Sequence, residues 1–252
     1  MAQALVTGAR RGIGRAIAIA LGHAGFDVAA ADLDAGQELL AVADEIRSLG
    51  RKAVAIHADI ADISTHARLL DEAEAAIGPL TTLVNNAGVS VLSRGDLLDV
   101  TPESYDRCMA VNARGTFFLT QAFAARLRKA SVSGHRSIVT VTSANATAVS
   151  IARGEYCMSK SAASMMSRLF ASRLSDEGIG VYEIQPGFIE TDMTAPSKAR
   201  YDALIENGLT VIKRFGQPEE VARIAVTVAT GLLPYTVGQP ILADGGLLTV
   251  RY

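Results

Sequence analysis

The sequence predicts a single α/β domain built on a doubly wound parallel sheet. Short apolar runs alternate with amphipathic helical stretches along all 252 residues. That alternation implies parallel strands covered by helices on both faces. No Pro/Ser-rich tract, charge block, low-complexity run or solenoid-length repeat divides the chain. Its length suffices for one large core, so residues 1–252 are taken as one domain.

Seven runs have the character of short buried strands, at 4–7, 28–31, 53–57, 82–84, 137–142, 181–185 and 239–243. Helical stretches lie near 12–24, 36–49, 63–77, 103–129, 155–176 and 218–231. Right-handed crossovers between such units give a Rossmann fold, a seven-stranded parallel sheet with helices on both faces. Ligands of that architecture bind beyond the carboxyl ends of the strands, and the polar clusters of this chain fall there.

The first strand runs into Thr7-Gly8-Ala9-Arg10-Arg11-Gly12-Ile13-Gly14, which opens the first helix. Glycine permits a tight turn and close backbone approach to a pyrophosphate, and the helix N-terminus adds exposed N–H groups. This strand–turn–helix context marks a dinucleotide site. Asp32 ends the second strand, eighteen residues after Gly14. A carboxylate there can accept from both adenosine ribose hydroxyls and repels a 2′-phosphate, which favours NAD. Arg10 and Arg11 point toward NADP, since either guanidinium could hold a 2′-phosphate; both could also face solvent or the pyrophosphate. NAD is thus the favoured cofactor and NADP the alternative. Asp59, after the third strand, could accept from the adenine amino group or cap the following helix. Leu33 and Ile60 adjoin these aspartates in the cofactor-binding set.

Asn85-Asn86-Ala87-Gly88 follows the fourth strand, where small residues let the chain pass close to a flat ring and asparagines can bridge loops. An ordinary asparagine-rich turn would look the same. Asn112 lies within the long helical stretch, where its propensity is poor. Ser143, at the end of the fifth strand, could equally close that strand or cap a helix. Tyr156 and Lys160, four apart in the next helix, share one face. An ammonium beside a phenol favours the phenolate, the arrangement of a tyrosine general acid–base. That spacing is weak alone and gains weight from the glycine signature. Pro186-Gly187-Phe188-Ile189-Glu190-Thr191 follows the sixth strand; Thr191 or Asp192 could cap the next helix.

These motifs occur together with Val111-Asn112-x-x-Gly115 and Asp244-Gly245-Gly246. In order and spacing the chain resembles the classical short-chain dehydrogenases/reductases over essentially its full length, and within them the 3-oxoacyl-carrier-protein reductase group. Sugar, polyol and steroid dehydrogenases share the same motifs. The resemblance implies an NAD(P)-dependent oxidoreductase interconverting a secondary alcohol and a ketone. It implies that Tyr156 exchanges a proton with the substrate oxygen and Ser143 hydrogen-bonds that oxygen. Lys160 would hold the nicotinamide ribose, and Asn112 a water leading from Lys160. Gly8, Gly12, Ile13, Gly14, Asn86, Ala87, Gly88, Tyr156, Lys160, Pro186, Gly187, Ile189 and Thr191 would line the cofactor. A substrate lid would span 190–215. Helices carrying Phe117-Phe118 and Ser161-Ala162-Ala163-Ser164 would meet in a homotetramer, with the tail 244–252 at a second contact. A dinucleotide-binding regulatory protein without turnover is the competing class.

Composition narrows the partners. Lys plus Arg number 24 against 26 acidic residues, and tryptophan is absent. Neither a basic nucleic-acid face nor a single-strand stacking platform is expected. Cys108 and Cys157 lack metal spacing and are expected to be reduced. Val221–Leu233 holds Arg223 and two threonines, so it is expected to be a core helix rather than a membrane span. The N-terminus shows no signal peptide, and a soluble, cytoplasmic protein without a metal is expected.

Overall fold

A computed structural model describes residues 2–250. Seven parallel strands form one sheet: β1 Gln3–Thr7, β2 Asp27–Asp32, β3 Ala53–His57, β4 Thr82–Asn85, β5 Arg136–Val141, β6 Ile179–Pro186 and β7 Pro240–Ala243. Their order is β3-β2-β1-β4-β5-β6-β7, so the chain reverses its direction of travel between β1 and β4. Register follows from the apolar pattern: Leu5 pairs with Ala29 on one side and Leu83 on the other.

Alternation along β1 sends Ala4 and Val6 into one core and Leu5 into the other. The first core packs under helices α1 Gly12–His23, α2 Gln37–Ser48 and, numbered last in chain order, α8 Pro218–Ala229. Val221, Ala222, Ala225, Val228 and Ala229 form the buried stripe of α8 at helical spacing. The second core packs under α3 His66–Ile77, α5 Thr116–Leu127 and α6 Gly154–Leu174, with Leu69, Leu70, Leu119 and Phe123 fully interior.

The long helical stretch expected over 103–129 is not one α-helix. It comprises α4 Pro102–Cys108, a π-helical segment Met109–Gly115, and α5. Thr101 caps α4 through the Ser104 N–H. Within 190–215, where no helical stretch is expected from sequence, the chain forms a further helix, α7 Lys198–Glu206. No helix among the described residues is long and apolar enough to cross a membrane. Of the expected tail contact, Arg251 and Tyr252 lie outside the described residues.

Candidate active site

One cavity of about 710 Å³ opens along the carboxyl ends of the strands at the β1/β4 reversal. It reaches from Asp32, Leu33, Asp59 and Ile60 past the glycine turn to Ser143, Tyr156 and Lys160. Gly8, Arg10, Arg11, Gly12, Ile13, Gly14, Asn86, Ala87, Gly88, Pro186, Gly187, Ile189 and Thr191 also line it. Only Asn112, among the expected site residues, stands behind the wall.

The turn between β1 and α1 is held by a small polar staple. Asn86 Nδ2 donates to the Thr7 and Gly8 carbonyls at 3.1 and 2.9 Å. Thr7 Oγ1 accepts from the N–H groups of Asn86 and Ala87, both at 3.2 Å. The expected bridging of loops by asparagine is therefore present. Gly8 adopts φ +65°, and a Cβ there would stand 2.7 Å from Ala87 Cα. A Cβ on Gly14 would stand 2.0 Å from the Gly8 carbonyl oxygen. Side chains at either position would fill the space that brings backbone to the cavity floor, where a helix N-terminus offers N–H groups to an anion. This cradle and the cavity's run from Asp32 to Tyr156 fit a dinucleotide.

The adenosine end is rich in internal ion pairs. Asp32 accepts from the N–H of Arg10 and of Asp34, each at 3.2 Å. The Arg10 guanidinium lies 3.7 Å from Asp32, 3.6 Å from Asp34 and 2.5 Å from Glu38. Arg11 pairs with Asp192 at 3.0 Å. Both guanidiniums that sequence alone left available for a 2′-phosphate are thus engaged by carboxylates. The expected cap by Asp59 is corrected: its carboxylate closes a local turn on the Ala61 N–H at 2.9 Å, whereas Asp62 caps the helical turn that leads into α3. Asp59 sits too far back along the chain to reach those N–H groups.

At the other end Tyr156 and Lys160 share one face of α6. Both are buried, and Lys160 Nζ lies 5.8 Å from the centre of the tyrosine ring. Lys160 donates to the Val141 carbonyl at 3.1 Å, which ties α6 to the end of β5. Ser143 lines the cavity, and its hydroxyl also accepts from the Asn145 N–H at 3.1 Å, capping the turn Ala144–Ala146. Asn112 is in the π-helical segment, where such turns recur at functional sites. Its Oδ1 accepts from the Val89 N–H at 2.8 Å, and its Nδ2 donates to the Val89 carbonyl and to Ser159 Oγ, both at 2.9 Å. A Cβ placed on Gly88 would meet Asn112 Oδ1 at 3.2 Å and Lys160 Nζ at 3.4 Å, so both approach one spot.

Thr191 and Asp192 do not cap α7, contrary to one expectation. Ser197 precedes that helix, and the Thr191 carbonyl instead accepts from Thr194 and Ala195 N–H groups. The ends of the segment 190–215 are pinned together where Glu190 N donates to Gly216 O and Gly216 N to Phe188 O, both at 2.9 Å. Its wall includes Met193, Tyr201, Leu204 and Leu209, with the Tyr201 ring tilted against Phe188 at 4.4 Å. Two residues that sequence reasoning missed, Arg94 and Arg153, line the same end. Arg153 could have been noticed at the entry to the Tyr156 helix; Arg94 carried no signal beyond its charge. Cys157 faces the Ala148 and Ser150 carbonyls outside this lining, and burial pushes the Cys108 thiol up.

A family model described as "Enoyl-(Acyl carrier protein) reductase" matches residues 8–248. A 3-oxoacyl-[acyl-carrier protein] reductase from Brucella melitensis, solved in complex with NAD, superposes with TM-score 0.96 at 43% identity, over 100% of this chain and 98% of that one. A putative 2-deoxy-D-gluconate 3-dehydrogenase from Agrobacterium tumefaciens with bound NADP superposes with TM-score 0.87 at 32% identity, over 99% and 97%. A versicolorin reductase of Emericella nidulans is 36% identical over 96% of this chain and 94% of its own.

Proposed function

The chain belongs to the short-chain dehydrogenase/reductase family and is an NAD(P)-dependent oxidoreductase of secondary alcohols and ketones; from that premise we propose which residues carry the reaction. Tyr156 gives a proton to the ketone oxygen in reduction and takes it back in oxidation. Ser143 donates a second hydrogen bond to that oxygen, and two donors aimed at developing negative charge lower the barrier. The nicotinamide of a bound NAD(P) supplies or accepts the hydride at the carbon. Lys160 stabilises the phenolate left on Tyr156. Its ammonium has three donors, and after the bond to Val141 it keeps others for the nicotinamide ribose hydroxyls. Asn112 positions the pair by clamping the Val89 backbone to Ser159 in the first turns of α6.

The observation that carries this reading is the convergence of Ser143, Tyr156 and Lys160 on the end of one cavity whose other end is a dinucleotide cradle. Steady-state kinetics with NADH and NADPH against ketones, ketoses and acetoacetyl thioesters tests it. Binding of NADH with no turnover across that panel would support the non-catalytic class instead.

NAD is the favoured cofactor. Asp32 stands at the end of β2, and Arg10 and Arg11 are occupied by acidic partners. A free 2′-phosphate would have to compete with those carboxylates. The likeness to the NAD-bound Brucella melitensis enzyme supports NAD, and the NADP-bound relative keeps NADP as the alternative.

A homotetramer is the proposed assembly. Met158, Met165 and Leu169 on α6 are each more than half exposed, and Phe117 packs edge-on to Phe118 beside them on α5. An apolar face of two adjacent helices is costly in water and suits a self-complementary contact. A single domain with a lid over 190–215, in a cytoplasmic setting, completes the proposal.

A further inference from the structure

Five cationic side chains line the cavity, Lys160, which is tied to the Val141 carbonyl, and four arginines, Arg10, Arg11, Arg94 and Arg153, which fall into two groups. Arg10 and Arg11 are neutralised by carboxylates, as described above. Arg94 and Arg153 make no ion pair among the described residues. Arg94 Nη1 hydrogen-bonds only the Tyr201 hydroxyl, at 3.3 Å. Arg153 hydrogen-bonds the Asn145 amide oxygen, and its Nε is buried without a hydrogen-bond partner. The four lining carboxylates, Asp32, Asp34, Asp59 and Asp192, belong to the adenosine end or to Arg11. Among the residues that line the reacting end, therefore, Arg94 and Arg153 have no carboxylate to pair with.

We propose that Arg153, assisted by Arg94, recognises an anionic carboxylate on the substrate, so that the physiological pair is a short oxo acid and its hydroxy acid. This rests on Tyr156 serving as the proton donor. A guanidinium is never neutral in this pH range and presents a planar fork that matches a carboxylate. The Arg153 guanidinium carbon lies 5.0 Å from the centre of the Tyr156 ring. That proximity confines the carboxylate to within a few bonds of the reacting carbonyl. A neutral thioester or amide at the same place would leave the guanidinium uncompensated in a partly dry pocket. The half-buried Arg153 carries most of the discrimination. Arg94 is exposed and screened by solvent, and contributes less.

Acetoacetate and methyl acetoacetate, which differ by the charge and one ester methyl, test the proposal in kinetics. Butyrate and butanamide test it in calorimetric titration of the whole protein. Wild type is expected to prefer each acid over its neutral partner by about tenfold to a hundredfold, the range of a charge-assisted hydrogen bond. In Arg153→Met both ratios should collapse toward one, and Arg153→Lys should restore part of each. A wild-type ratio near one overturns the proposal. So does an Arg153→Met enzyme that loses acid and ester activity in equal proportion, because that marks the arginine as a support for the Tyr156 ring. Butyrate selectivity without turnover of either ketone leaves the anion subsite standing and overturns the oxidoreductase assignment of Tyr156. Turnover of both ketones without selectivity does the reverse.

Discussion

The two ends of the cavity are built on different principles. The adenosine end is made of backbone: a glycine turn stapled by Asn86 and Thr7, with its arginines matched to Asp32, Asp34, Glu38 and Asp192. The reacting end is made of side chains projected from α6, from the loop after β5 and from the lid, with Arg94 and Arg153 unmatched. A neutralised, backbone-lined end suits a ligand that never varies. A side-chain end with spare charge is where a relative with the same fold can take a different substrate. Changes at the first end should strike fold and cofactor together, and changes at the second should strike turnover and specificity.

The largest effect belongs to the reacting end. Tyr156→Phe removes the proposed proton donor but keeps the ring, so kcat should fall by about 10²–10⁴. Cofactor affinity, measured by NADH fluorescence titration, should stay close to wild type. A variant that turns over normally would remove Tyr156 from the chemistry. Gly14→Ala tests the opposite end. Its Cβ would sit 2.0 Å from the Gly8 carbonyl and 2.3 Å from Asn86 Nδ2. Overpacking of this kind costs about 1–3 kcal/mol, or roughly 3–10 °C in Tm for a chain of this size. NADH affinity should fall with it. Retention of both Tm and affinity would mean the turn is not the rigid floor described here.

Asp32→Ala should lower kcat/KM with NADH by about tenfold to a hundredfold through the lost charge-assisted hydrogen bonds. It also frees Arg10 from one of its three acidic neighbours, so the NADPH/NADH ratio should rise. A constant ratio across the pair of cofactors would place the ribose elsewhere.

The smallest effect lies beyond both ends, where the lid returns to α8. Arg214 hydrogen-bonds Glu220 through both nitrogens at 2.7 Å, and the Gln217 N–H adds a third bond at 2.8 Å. Together they hold the Glu220 carboxyl down at about 2, below its usual 4.5. The folded state therefore prefers the ionised form. This contribution is complete above about pH 4.5 and is lost as pH falls toward 2. The side chain is about one-third exposed, so the effect is modest. Glu220→Gln should flatten the fall of Tm between pH 4.5 and 3; a parallel fall in both proteins would assign the acid sensitivity to other groups.

Much of this molecule was legible in the order of its residues. Seven apolar runs separated by helical stretches could bury both faces only as a parallel sheet, and β3 fell at 53–57 as expected. The glycine turn was legible because strand, turn and helix constrain one another within a few residues. Tyr156 and Lys160 were legible because helical spacing alone sets them on one face.

Other features depended on contacts distant in sequence. A π-turn differs from an α-turn by one extra residue in the hydrogen-bonded loop, and apolar periodicity over 103–129 does not register that difference. The short helix α7 carries little amphipathy of its own and stands on the pinned base of the segment 190–215. The pairing of Arg10 with Glu38, a helix away, could not be read from spacing. Arg94, in a loop, and Arg153, at the N-cap of α6, are set in one cavity by the fold, with no lining acid between them. The sequence by itself determined the sheet, the glycine turn and the shared face of Tyr156 and Lys160, since local spacing is written in the covalent chain. The charge balance of the cavity was decided by tertiary structure, because an ion pair exists only where folding brings two distant side chains within a few ångströms.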